Sequence, residues 1–70
     1  MTDQTRQDIE AILKETGVVN EVRIGQVIHV TSVLTNDNYT KNNQHKVYLA
    51  EKEIMAKYPN ERFNFHLRPE

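Results

Sequence analysis

Apolar residues recur along this 70-residue chain with two different periods, and the switches between them divide it into five elements. Over residues 5–16 the spacing is helical: Ile9, Ile12 and Leu13 fall at i, i+3 and i+4 and make one stripe. Thr5 with Asp8 three residues later has the form of a capping box, with Asp in place of Glu or Gln. Gly17 follows where a left-handed residue would end the helix. Two runs rich in β-branched residues come next, 18–24 and 27–34, separated by Gly25-Gln26. Glycine in the first central position suits a type II′ turn, so the two runs predict an antiparallel hairpin. In the second run Ile28, Val30, Ser32 and Leu34 share one face, and Val27, His29, Thr31 and Val33 share the other.

Residues 35–39 are polar turn formers. Thr40 is placed to cap a second helix over 40–58, whose stripe is Val47, Ala50, Ile54 and Tyr58, widened on one side by Tyr48 and Met55. Pro59-Asn60 stops it. The last run, 62–68, alternates cleanly: Phe63, Phe65 and Leu67 point one way, and Asn64, His66 and Arg68 the other. The order is helix, strand, strand, helix, strand, an α+β domain occupying residues 1–70.

Composition narrows what such a domain does. A chain this short buries only about 60% of its unfolded surface, and pairing with a second copy is a common way to add buried area. The apolar fraction of 37% fits a thin core. A net charge of −1 supplies no field for nucleic acid or an anionic membrane. No cysteine is present, which removes thiolate ligands and thiol nucleophiles and fits a reducing, cytoplasmic setting. No window approaches a membrane span, and the polar N-terminus lacks the apolar stretch of a signal peptide.

Catalytic constellations are missing: no phosphate-binding Gly-rich loop, no paired metal-protease histidines, and one serine, Ser32, in mid-strand. The carboxylates are spread along helices, where solvated faces and pairs such as Glu10 with Lys14 account for them. An enzyme is therefore not expected. Three histidines remain: His29 in mid-strand, His45 early in the second helix, and His66 on the polar face of the last strand. A site built on them would be imidazole plus carboxylate, with Asp37 as the acidic partner; otherwise each is a rim histidine. Phe63 and Phe65 between Arg62 and Arg68 have the outline of a base-stacking platform, but they alternate as core residues do and no basic stripe accompanies them.

Several local patterns resemble the cytoplasmic C-terminal domain of cation diffusion facilitator transporters. The run from Thr40 through His45 to Ile54 resembles that family's second helix, Tyr58-Pro59 its stop, and Asn64-Phe65-His66-Leu67-Arg68-Pro69-Glu70 its closing strand. More loosely, residues 9–22 resemble the opening helix and first strand, and Gly25 the hairpin glycine. The resemblance implies a ferredoxin-like or metallochaperone-like αββαβ unit, with an antiparallel or mixed three-stranded sheet and both helices on one face. It further implies a homodimer that binds a divalent metal, such as zinc, to regulate a transport domain. Carried over, the metal ligands are His45 and His66, with His29 and Asp37 as secondary candidates. The family's second-strand histidine position falls at Thr31 or Ser32, and the acid that often precedes its final proline is replaced by Arg68. The expectation is a small non-catalytic regulatory or binding domain that takes a divalent metal. The alternatives are a metal-free dimerisation or protein-interaction module of the same fold and, behind both, an RNA-binding domain.

Overall fold

The computed structural model describes residues 1–25 and 29–70. These form α1 (Asp3–Lys14), β1 (Glu21–Ile24), β2 (His29–Leu34), α2 (Lys41–Lys57) and β3 (Asn64–Pro69), with a single 3-10 turn, Asn36–Asn38, between β2 and α2. β1 runs antiparallel to β2 and β3 parallel to it, in the order β1-β2-β3. The α+β class is as the pattern predicts, and the mixed sheet is one of the two forms that the resemblance implies. The sheet is not split in the ferredoxin-like manner, because β3 lies directly beside β2. The register pairs Ile24 with Val30, and the Gly25 N–H donates to the His29 carbonyl at 3.0 Å, so β1 and β2 are not joined by the two-residue turn expected at Gly25-Gln26; residues 26–28 lie outside the described residues.

Local chemistry sets the boundaries. α1 starts earlier than its stripe, because Thr2 rather than Thr5 is the cap: extended at φ −84, it accepts the Thr5 N–H at 3.1 Å. Beyond the other end of α1, Gly17 has φ 78, the left-handed conformation expected of it. Val18 and Val19 pack half-buried against the core but do not join the ladder, so β1 is shorter than its β-branched run. Thr40 caps α2 as predicted, accepting the Asn43 N–H at 3.2 Å.

Ile9, Ile12 and Leu13 of α1, Val30 and Leu34 of β2, and Val47, Ala50 and Ile54 of α2 form one buried cluster. Val22, Ile24, Phe63, Phe65 and Leu67 pack on its edges. Both helices therefore cover the same side of the sheet. Tyr48 and Met55 do not widen the core as their spacing predicts: they are 49% and 43% exposed, on the outer side of α2. With α1 sharing the same side of a narrow sheet, α2 buries only the stripe that faces inward.

Among the described residues the core holds one polar residue. Ser32 is fully buried beside Val22 and Leu67, and its hydroxyl has no hydrogen-bond partner among the described residues. An unsatisfied buried hydroxyl costs about 1–3 kcal/mol. Ser32→Ala is therefore expected to raise the melting temperature by roughly 4–8 °C, the shift worth about 1 kcal/mol in a domain this size, as read in a calorimetric melt.

The two helices are tied at one end. The Tyr58 hydroxyl donates to the Asp8 carboxylate, and Lys57 Nζ lies 2.6 Å from the same oxygen. Bonds from Lys57 and then Tyr58 hold the Asp8 carboxyl below its usual range. A depressed carboxylate gives stability that is present above its unfolded value and lost as pH falls through the folded one. Glu51, pushed up by burial, works in the opposite sense, its cost relieved on acidification. Asp8→Asn is expected to melt lower than the parent at neutral pH, with the difference closing as pH falls from about 5 to about 2. Parallel curves across that range would remove Asp8 as an acid-sensitive tie.

Candidate metal centre

The side of the sheet away from the helices is polar. Strand register places Glu21, Arg23, His29, Thr31, Val33, Asn64, His66 and Arg68 there, because their neighbours Val22, Ile24, Val30, Phe65 and Leu67 face the core. Val33 is nevertheless only 4% exposed, since Glu21 and Arg68 flank it in the same cross-strand row.

On this face two histidines meet. β2 supplies His29 and β3 supplies His66, two residues along the register on the diagonal, since His29 pairs with Asn64 and Thr31 with His66. His29 Nδ1 lies 3.0 Å from His66 Nε2, and the rings stack with centroids 5.2 Å apart at 27°. One ring N–H donates to the other ring's bare nitrogen. Both side chains are exposed, so water and ions reach the pair freely.

A tetrahedral zinc ion with Zn–N bonds of 2.0–2.1 Å sets two imidazole nitrogens about 3.3 Å apart. The observed separation is close to this, so an ion can replace the shared proton with a small opening of the rings. The pair thus fits two positions of a metal site. Among the described residues no group of three or more metal-ligating side chains occurs, so any ion held by the pair would take its remaining ligands from water or another molecule.

The other candidates lie elsewhere. His45 sits on the exposed side of α2, its ring 6.2 Å from that of Tyr48, while His66 faces away from the helix layer. The sheet separates His45 from His66, and within one chain they do not share an ion. Asp37 is in the 3-10 turn past the far end of β2, at least about 16 Å along the strand from His29. The partner that His66 does find is His29.

Charges around the pair are partly neutralised. Arg23, about 10 Å from His66 across two strands, is engaged by Glu21, whose carboxyl that bond holds below its usual range. Arg68 follows His66 by two residues on the same face, where its charge opposes a cation. Thr31, His66, Leu67, Arg68, Pro69 and Glu70 line an open depression of about 620 Å³ at the β3 edge. Phe63 and Phe65 stack on each other at 5.3 Å and pack half-buried on the core side, away from the open face. No helix among the described residues is long and apolar enough to cross a membrane. Comparison with protein-family models, with curated proteins and with solved structures finds no match for this chain.

Proposed function

We propose that this chain is a non-catalytic binding domain, working as a homodimer in the cytoplasm, whose His29–His66 pair takes a divalent cation. The observation that carries the reading is the 3.0 Å approach of His29 Nδ1 to His66 Nε2. Neutral imidazole nitrogens favour zinc, copper and nickel over the oxygen-seeking magnesium and calcium. Two protein ligands hold such an ion loosely, which suits a reversible regulatory site better than a permanent structural one. The resemblance to cation diffusion facilitator C-terminal domains points the same way, with His29 taking the part expected of His45.

A second reading has one observation in its favour. Tyr48, Leu49 and Met55 stand 49%, 53% and 43% exposed on α2, as in a metal-free protein-interaction module. An RNA-binding role has less support, because the two phenylalanines lie against the core.

A zinc titration separates these readings. A ligand that binds only the folded state at 100 times its Kd adds about 2.7 kcal/mol, or roughly 10–20 °C in Tm for a domain of this size. Zinc is expected to raise the melting temperature saturably, and magnesium to leave it unchanged. No shift at millimolar zinc would remove the cation and leave the interaction module.

A further inference from the structure

We infer that a second copy of this chain adds to the outer edge of β3, antiparallel and with His66 facing the partner's His66. The inference specifies the homodimer proposed above and does not depend on the cation.

Backbone direction identifies the free groups. The Glu70 N–H donates to the Leu34 carbonyl at 2.7 Å, and Leu34 is the register partner of Pro69. In a parallel ladder this turns the backbone groups of Asn64, His66, Arg68 and Glu70 toward β2, and those of Phe65, Leu67 and Pro69 outward. The outward N–H and C=O of Phe65 and Leu67 have no backbone partner among the described residues. Pro69, lacking an N–H, stands at an outward position, where a missing donor breaks no existing bond. β1, the opposite edge, is only four residues long and carries the Glu21–Arg23 ion pair, features that discourage strand addition.

Charge selects the register. If the two open faces are to stay continuous, residues of like parity must oppose each other, which leaves three central alignments. With Phe65 opposite Phe65, Arg62 meets the partner's Arg68. With Leu67 opposite Leu67, His66 meets the partner's Arg68. With His66 opposite His66, Arg62 meets the partner's Glu70, Asn64 meets the partner's Arg68, and Phe65 meets the partner's Leu67 on the core side. Only the third sets opposite charges face to face, and like charges directly opposite are destabilising. It also makes Phe65 and the partner's Leu67 a hydrogen-bonded pair, exchanging two bonds at each of the two symmetric positions. The apolar side chains continue one core edge into the other. Glu70 already accepts from Asn20 Nδ2 at 3.1 Å, so its carboxylate meets Arg62 of the partner while held at the sheet end. The two histidine pairs then lie in one row across the seam.

Cysteine trapping tests this in a chain that has no cysteine of its own. Asn64 and the partner's Arg68 would form a non-hydrogen-bonded pair with Cα atoms about 4.5 Å apart, within disulfide reach. In one chain they are about 13 Å apart on a strand and cannot bridge. Both are exposed, so the fold tolerates the change. With chelator present, the Asn64→Cys/Arg68→Cys variant is expected to form a covalent dimer on mild oxidation, and neither single variant to do so. In parallel, Arg62→Glu is expected to weaken self-association by sedimentation roughly tenfold, and Arg62→Glu with Glu70→Arg to restore it. Equal cross-linking of a single variant would overturn the register. A wild-type dimer whose double-cysteine variant does not cross-link would overturn the edge and leave a dimer through another surface. A monomer in every measurement would overturn the dimer altogether, with the histidine pair still judged by zinc.

Discussion

Leu34→Ala is expected to lower the unfolding free energy by about 3 kcal/mol or more and the melting temperature by roughly 12–25 °C. Leu34 is fully buried at the end of the central strand, in the cluster fed by both helices. Losing the branch carbon and both methyls there removes transfer energy and leaves a cavity that three elements must close at once. A 70-residue domain has about 4–10 kcal/mol in total, so the variant would sit near its unfolding limit. Urea titration with an unchanged m-value and a much lower midpoint is the expected signature. A midpoint within experimental scatter of the parent would mean that Leu34 is not central to the packing.

Removing either ring of the histidine pair should have the largest effect on cation binding. An outer-shell partner alone is worth about 10–100-fold in metal affinity, so deleting one of two direct ligands is expected to cost about 100-fold. His29→Ala and His66→Ala should behave alike in a calorimetric zinc titration, since each leaves a single imidazole. His45→Ala and Asp37→Ala should leave the affinity unchanged, because neither residue shares the open face with the pair. If His45→Ala weakened binding as much as His66→Ala, the ion would have to be held between chains rather than by the β2–β3 pair.

Much of the fold was legible in residue order, and the reason differs by element. The stripes of α1 and α2 and the alternation in β3 are periodicities of single segments, and burial of Ile9, Ile12, Leu13, Val47, Ala50 and Ile54 follows them. The start of α1 was less legible: the Thr5–Asp8 spacing marked a cap inside the helix, and the residue with the extended backbone of a cap is Thr2. Tyr48 and Met55 looked apolar enough for the core, yet the arc that faces a three-stranded sheet is too narrow to hold them. The site was half legible. His66 stood out on the polar face of β3, but its partner depends on which strand lies beside β3 and in what register, a long-range property that no local pattern carries. A parallel neighbour joined through α2 would have brought His29 forward, because both residues lie on polar faces of consecutive strands. Similarity of local motifs pointed instead to His45, which shares a helix with the matching residues but not a surface with His66.

Long-range nitrogen–proton spectra of the histidine side chains during a zinc titration follow the three imidazoles one by one. The ring nitrogens of His29 and His66 are expected to shift together and to saturate at the same zinc concentration, at Nδ1 of His29 and Nε2 of His66, while His45 stays where it was. Shifts confined to His45, or an unchanged His29–His66 pair at millimolar zinc, would contradict a cation site on the open face of the sheet.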